Sequence, residues 1–123
     1  MLFGISVLDI ALDLSNISLA HLVFCYYTLL VTTWDEAKRR TNIKDHGLDF
    51  VGCEAIWDNF TITREDVRHA YGEKRLVTFG LLEGTVVVLV HTERRTGSHI
   101  ISLRKAEKHE TRYYFEIAKD YFK

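Results

Sequence analysis

Hydrophobic and polar positions change their period along the chain, and the changes divide it into segments. Over residues 60–66 apolar and polar side chains alternate, which is typical of a half-buried strand. Three more β-rich runs follow, KRLVTFGLLEG, TVVVLVHTER and SHIISLRK, with glycine at both joins. Short joins containing glycine predict hairpins. Over residues 106–122 apolar side chains recur every three or four positions, which predicts a helix.

The segment ahead of these strands predicts one more strand and two helices. Residues 31–34, VTTW, have the β-branched and aromatic character of a short strand. DEAKRRTNIKDHG predicts a helix, because Asp35 and Glu36 suit its first turn and Gly47 can end it in a left-handed conformation. LDFVGCEAIWDN predicts a second amphipathic helix, with Asp49 as its N-cap. The order β-α-α-β-β-β-β-α predicts a small two-layer α+β domain, mostly an antiparallel sheet with two N-terminal helices and one C-terminal helix.

Residues 1–33 differ in composition from everything that follows. They contain no Lys, Arg or Glu, and all 16 Lys and Arg residues lie from Lys38 onward. A secretory signal would need a basic start and a small-residue cleavage site, which this stretch lacks. Residues 14–33 are long enough for a transmembrane helix, and a start codon assigned too far upstream is a third explanation. We favour the third, with a non-domain extension at residues 1–30 and one domain at residues 31–123.

Composition and charge narrow the classes of protein. A chain of 123 residues with 47% hydrophobic and 27% charged residues suits one globular domain. Its formal charge is -1, so any affinity for nucleic acid must come from a local cluster of cations. Cys25 and Cys53 have no metal-ligand spacing and lie in apolar stretches, so we expect buried, reduced thiols and no metal site.

Basic side chains cluster in HTERRTGSHIISLRKAEKHETRYY, residues 91–114. Strand alternation points Arg94 to one face of the sheet, and His91 and Glu93 to the other. On the second arm, alternation predicts a face shared by Ser98, Ile100, Ser102 and Arg104. Arg94 lies beside the turn and Arg104 about 20 Å further along its strand, so one tight site containing both would require strong twist or a β-bulge.

These residue types favour a groove for a phosphodiester chain. Arginine offers a planar fork of donors that matches phosphate oxygens, and exposed tyrosines such as Tyr113 can stack on bases. His91 with Glu93 has the form of a base and its orienting carboxylate. The same pattern also fits solvated strand ends and an exposed helix face, so the residues alone leave both interpretations open.

Three stretches together resemble one known family. TWDEAKRRTNIKDHGLDFVGCEAIW resembles the opening of the BrnT toxin family, where a Trp-Asp start leads into a helix that ends in His-Gly. REDVRHAYGEKRLVTFGLLEGTVVVLVHTER and IISLRKAEKHETRYY resemble the rest of that family. The resemblance leaves out residues 1–30.

The resemblance implies a type II toxin with a RelE-like fold, an endoribonuclease that inhibits translation in the cytoplasm. It implies RNA as the substrate, no cofactor, and a cognate BrnA-like antitoxin whose complex with the toxin can contain a toxin homodimer. RNA cleavage of this kind needs no metal, because the ribose 2′-OH attacks the adjacent phosphate. We expect four catalytic residues: His91, Glu93, Arg94 and Arg104. We expect six RNA-binding residues: Arg64, Arg75, Lys105, Lys108, Arg112 and Tyr113.

Two other functions stay open at this point. The ParE branch of the same fold group poisons gyrase without cleaving RNA, so the fold alone leaves the activity undecided. A membrane-tethered interaction domain that uses residues 14–33 is the other. For any antitoxin, we expect an acidic or amphipathic segment to cover the aromatic, basic edge of the C-terminal helix together with the basic hairpin.

Overall fold

The computed structural model describes residues 32–68 and 72–121, and in these residues the chain forms an α+β domain. The extension expected at residues 1–30 lies outside the described residues, as do Cys25 and Phe122. The elements follow the predicted order, with a 3₁₀ helix in place of the second α-helix: β1 (Thr33–Trp34), α1 (Glu36–His46), the 3₁₀ helix (Cys53–Asp58), β2 (Ile62–Asp66), β3 (Arg75–Leu82), β4 (Thr85–Arg94), β5 (Gly97–Lys105) and α2 (Lys108–Tyr121).

The five strands form one sheet in the order β1-β5-β4-β3-β2. β1 runs parallel to β5, and the other neighbours are antiparallel, which confirms the mostly antiparallel sheet. Glu83 and Gly84 join β3 to β4 and both have a left-handed φ, 51° and 78°. A two-residue turn of this hand matches the twist of the strands, so the LLEGT join forms the hairpin that its glycine predicts.

Helix α1 is capped at both ends and closes one edge of the sheet. Gly47 ends it as predicted, whereas Asp35, which was expected in the first turn, is its N-cap. Asp35 accepts a hydrogen bond from the Lys38 backbone at 3.1 Å, and Gly47 ends the helix with a φ of 72°. The buried amide of Asn42 donates to the Leu103 carbonyl at 2.8 Å and accepts from the Leu103 N–H at 3.0 Å. Asn42 therefore satisfies backbone groups on β5 that a further strand would otherwise pair.

The prediction of a second amphipathic α-helix is wrong, because this segment forms only the short 3₁₀ helix. Asp49 does not act as a helix N-cap. It accepts from the Val51 backbone at 3.0 Å and holds Arg39 through both carboxylate oxygens, at 2.7 and 2.9 Å. Gly52 then has a φ of 85°. A left-handed residue interrupts an α-helix, so helical structure begins only at Cys53.

Each face of the sheet carries its own apolar cluster. On the α1 face, the sheet packs against the segment around the 3₁₀ helix through Phe50, Cys53, Ile56, Val87, Leu89, Ile100 and Leu103. On the α2 face, it packs against the C-terminal helix through Phe79, Val86, Val88, Tyr114 and Ala118. The C-terminal helix therefore covers the part of the α2 face around Phe79, Val86 and Val88.

A β-bulge in β5 divides that strand into two halves. Val90 pairs with Ser102 and His91 pairs with Ile100, so Ile101 is the extra residue. An extra residue reverses the alternation of side chains beyond it. Ile100 consequently shares the α1 face with Leu103, and the expectation that Ser98 and Ile100 share a face with Ser102 and Arg104 is wrong.

Candidate functional site

Strand register brings four arginines to the α2 face, one from each of β2 to β5. Arg64 stands opposite Val77, and Arg104 stands opposite Val88. By the same alternation Arg75 and Arg94 point to this face of the sheet. All four were predicted to take part in the site, two as RNA-binding and two as catalytic residues. A face with this many guanidinium groups suits a polyanion.

Arg64 lies in a corner between two aromatic rings. Its guanidinium carbon is 5.0 Å from the centre of the Phe79 ring and 5.5 Å from the centre of the Tyr113 ring. The two rings meet edge to face, with centres 5.9 Å apart. Tyr113 is 39% exposed, so this corner opens to solvent. The structure thus brings two predicted RNA-binding residues, Arg64 and Tyr113, into one cluster.

Arg104 is held by the first turn of α2. Its guanidinium binds both carboxylate oxygens of Glu110, at 2.7 and 2.9 Å. Glu110 also accepts the backbone N–H of Glu107 at 2.8 Å, which closes the start of the helix. The hydrogen bond from Arg104 lowers the pKa of Glu110 to about 2, although burial opposes the shift. Arg104 is therefore already shaped to hold a planar anion with two oxygens.

Arg94 lies far from Arg104 along the sheet. Arg94 pairs with Gly97 beside the turn and forms an ion pair with Glu73 at 3.1 Å. Six residues of β4 separate Arg94 from Val88, the partner of Arg104, which corresponds to about 20 Å. The bulge puts these two arginines on the same face without bringing them into one tight site.

His91 and Glu93 lie on the opposite, α1 face. The His91 ring is 2% exposed, and the Trp57 ring stands edge-on to it with centres 5.5 Å apart. His91 Nε2 lies 2.7 Å from the hydroxyl of Thr78, which in turn lies 2.7 Å from the hydroxyl of Thr63. Glu93 Oε1 is 2.8 Å from His91 Nδ1 but off the line that a well-directed hydrogen bond requires. Burial lowers the pKa of His91, and the charge of Glu93 opposes that shift.

The three remaining predicted RNA-binding residues do not lie together: one is on the α1 face of the sheet and two are on helix α2. Lys105 pairs with Val87 and so belongs to the α1 face, where it is exposed. Lys108 and Arg112 are exposed and stand one turn apart on α2. The structure therefore separates Lys105 from the arginines and puts Lys108 and Arg112 on a helix surface beside them.

Sequence reasoning missed Arg68. The nearly buried carboxylate of Asp66, 4% exposed, accepts from Arg68 Nε and from its terminal nitrogen, both at 2.9 Å. Glu110 raises the pKa of Arg104, and the positive charge of Arg68 opposes that shift. The guanidinium groups of Arg68 and Arg104 are therefore close enough to repel each other. The alternation that puts Arg64 on the α2 face also puts Asp66 there, and this signal could have found the pair.

Sequence reasoning also missed His99, because the bulge was not visible in the residues. His99 stands opposite Thr92 in β5 and beside Thr33 in β1, on the α2 face. Its Nδ1 lies 2.8 Å from the Thr33 hydroxyl. Burial lowers the pKa of His99, and the charge of Arg94 lowers it further. A histidine that is neutral near pH 7 therefore lies among the arginines.

Other chemistry is limited in the part of the chain that the structure describes. Cys53 is free and buried, as predicted, and burial raises the pKa of its thiol to about 12. Within residues 32–68 and 72–121, no three His, Cys, Asp or Glu side chains are grouped as a metal ion would need. No helix in those residues is long and apolar enough to cross a membrane.

Comparison with known proteins gives the family. No curated protein matches the chain. A family model described as the ribonuclease toxin BrnT of type II toxin-antitoxin systems matches residues 34–110, which run from Trp34 at the end of β1 through β5 to the start of α2. The match spans more than half of the chain and contains both the arginine-bearing face and the buried His91. The chain belongs to the BrnT family of ribonuclease toxins of type II toxin-antitoxin systems.

Proposed function

We propose that the α2 face binds single-stranded RNA and cleaves it without a metal ion, through attack of a ribose 2′-OH on the adjacent phosphate. The observation that carries the proposal is the convergence of Arg64, Arg75, Arg94 and Arg104 on one face. A phosphate that gains charge in the transition state is stabilised by cations already in position. The arrangement agrees with the ribonuclease activity of the family.

Arg104 has the best geometry for holding a phosphate of the RNA strand. Its fork already binds a carboxylate through two oxygens, and a phosphate offers the same pair of acceptors. RNA would exchange with Glu110, so Glu110 keeps the guanidinium oriented while the site is empty. Arg94 lies about 20 Å away and would bind a different phosphate of the same strand.

Bases would stack at the corner formed by Arg64, Phe79 and Tyr113. Guanidinium planes and aromatic rings are the surfaces on which proteins stack the bases of single-stranded RNA. Because the contact uses the face of a base, it tolerates many sequences. Arg68 and Arg75 would add phosphate contacts nearby.

We assign His91 and Glu93 an indirect role. Their expected acid-base role would require the ring to reach RNA, whereas His91 is enclosed by Trp57 and Thr78 on the α1 face. A buried ring that links β3, β4 and the 3₁₀ helix supports the sheet from behind. Removal of His91 would then reduce stability before it reduced the rate of cleavage.

An antitoxin is the partner that a type II system provides. We propose that a BrnA-like antitoxin covers the exposed edge of α2, including Lys108 and Arg112, together with the arginines of the α2 face. Occupation of phosphate sites by acidic side chains would block RNA directly. A RelE-like fold, a toxin homodimer within the complex, and inhibition of translation in the cytoplasm complete the proposal.

The test is cleavage of single-stranded RNA by the purified full chain in the presence of a metal chelator. We expect cleavage to continue, and we expect Arg104→Ala to lower its rate by about 10²-fold, because the RNA strand is then no longer held in position for attack. Arg40→Ala on exposed α1 is the matched control and should change little. Full activity of both Arg104→Ala and Arg94→Ala would reject the site, and intact RNA with stalled DNA replication would support a gyrase poison instead.

A further inference from the structure

His99 belongs to a row of polar side chains that crosses the α2 face. Asp66 pairs with Arg75 across β2 and β3, and His99 pairs with Thr92 across β4 and β5. Thr33 of β1 then completes the row beside His99. Arg94 lies diagonally across from His99, since Arg94 pairs with Gly97, two residues earlier in β5. A phosphate bound by Arg94 would therefore lie close to the imidazole.

The ring of His99 is oriented and half-buried, unlike that of an ordinary surface histidine. The Thr33 hydroxyl lies 2.8 Å from Nδ1. When Nδ1 carries the proton and donates it to Thr33, Nε2 presents a lone pair. The burial that lowers the pKa of His99 keeps the ring neutral near pH 7, as a base requires.

Charged groups from several elements face this ring. Arg94 on β4 and Lys38 on α1 lower the pKa of His99, in addition to the larger effect of burial. Glu73, ahead of β3, and Asp35, the N-cap of α1, raise it. The protonation of His99 therefore responds to both a cation and a carboxylate of the Arg94–Glu73 ion pair.

We infer that His99 is the general base of the ribonuclease reaction, a deduction that rests on the proposed function of the α2 face. Nε2 removes the proton of the ribose 2′-OH, and the resulting oxygen attacks the adjacent phosphorus. The new bond from phosphorus to the 2′-oxygen replaces the bond to the 5′-oxygen, which leaves with a proton from water. The products are a 2′,3′-cyclic phosphate end and a 5′-hydroxyl end, and the imidazolium returns its proton to solvent. Thr33 is a positioning residue that holds the ring in the reactive tautomer.

The first experiment measures the rate of cleavage of a single-stranded RNA against pH, with chelator present, for the full chain and for His99→Gln. We expect the wild-type rate to rise with pH and then level off. His99→Gln should lower the rate by about 10²- to 10⁴-fold and remove the rising limb. Affinity for an RNA analogue with a 2′-deoxyribose at the cleaved position should stay close to wild type. His109→Gln on α2 is the matched control, because His109 is exposed and outside the row.

Two further variants keep the test decisive if His99→Gln folds poorly. His99→Ala should regain activity when imidazole is added to the buffer, which a structural role would not explain. Thr33→Val keeps the imidazole and should lower the rate by roughly tenfold, through loss of orientation.

A rising limb that persists in His99→Gln, an unchanged rate, or a loss of affinity as large as the loss of rate would each overturn the assignment of His99. Activity that is lost in Arg104→Ala but kept in His99→Gln would reject only the base. Activity that is kept in Arg94→Ala and Arg104→Ala would reject the face itself.

Discussion

Glu110 holds Arg104 by both of its carboxylate oxygens, so the best-formed anion site on the α2 face is filled by the protein's own side chain. Arg104 is 36% exposed and Glu110 is 14% exposed, so the pair lies at the edge of solvent and can open. The start of α2 and the proposed phosphate site therefore share one ion pair.

Replacement of Glu110 by glutamine should have opposite effects on binding and stability. An exposed or half-exposed ion pair contributes about 1 kcal/mol, so we expect a loss of stability of that size. RNA affinity should rise by about fivefold, because RNA no longer competes with a carboxylate. Chemical denaturation and binding of a non-cleavable RNA measure the two effects, with Glu116→Gln on the same helix as the control. A fall in affinity would mean that Glu110 orients Arg104 for RNA more than it competes with it.

The same pair should stabilise the fold in a defined range of pH. Arg104 lowers the pKa of Glu110 from 4.5 to about 2. The ion pair therefore contributes fully to the stability of the fold above pH 4.5, and this contribution is lost as pH falls towards 2. Wild type should therefore lose more stability than Glu110→Gln over this range. Equal losses in the two proteins would show that the pair contributes nothing measurable.

Replacement of Arg64 by lysine should separate stacking from charge. Lysine keeps the positive charge but has no plane to stack on Phe79, Tyr113 or a base. We expect affinity for single-stranded RNA to fall by about tenfold while the dependence of binding on salt stays the same. Arg40→Lys on α1 is the matched control. If Arg64→Lys binds as wild type does, Arg64 serves only as a charge.

Reversal of charge at both Lys108 and Arg112 should weaken binding of the antitoxin and make it less sensitive to salt. The two cations are exposed one turn apart, where an acidic segment can meet both. Arg40→Glu with Lys44→Glu on α1 gives the same change of charge at the same spacing, and it should leave binding nearly intact. Titration calorimetry at several salt concentrations distinguishes them. Unchanged affinity and salt dependence would place the antitoxin elsewhere.

Protonation of His91 should destabilise the domain. Its pKa in the fold is lowered below the ordinary 6.5, so the unfolded chain takes up a proton first as pH falls. Stability is then constant above this value and decreases as pH falls below it. His91→Gln should reduce the slope of stability between about pH 7 and about pH 5, with His109→Gln as the exposed control. Part of the slope should remain, since the lowered pKa of His99 acts in the same direction.

Local signals in the sequence were enough to predict most of the elements. Asp35 and Gly47 bound α1 because a side-chain cap and a left-handed glycine act within a few residues of themselves. The LDFVGCEAIWDN segment was wrongly predicted to be an α-helix, because a 3₁₀ helix packed on a sheet can have apolar residues at the same spacing. The competing turn at Asp49 depends on Arg39, ten residues away, and no periodicity reveals such a contact.

The candidate site was predictable in its residue types but not in its geometry. Arginine was correctly expected on strand faces, whereas the partners Glu73 and Glu110 come from other elements and could not be read from alternation. His91 and His99 are alike in sequence, each in a strand beside a polar residue. In the fold they lie on opposite faces of the sheet, where Trp57 packs on His91 and Thr33 forms a hydrogen bond with His99.

The extra residue Ile101 alters a rule of parity. His99 and Arg104 are five positions apart, an odd separation that would point them to opposite sides of a regular strand. One unpaired residue makes the separation behave as an even number, and both side chains reach the α2 face while Ile100 and Leu103 stay in the core behind them. Without the bulge at Ile101, β5 would alternate regularly, so Ile100 and Leu103 could no longer both point into the core, and His99 and Arg104 could no longer both point to the α2 face. The insertion allows a single strand to supply both.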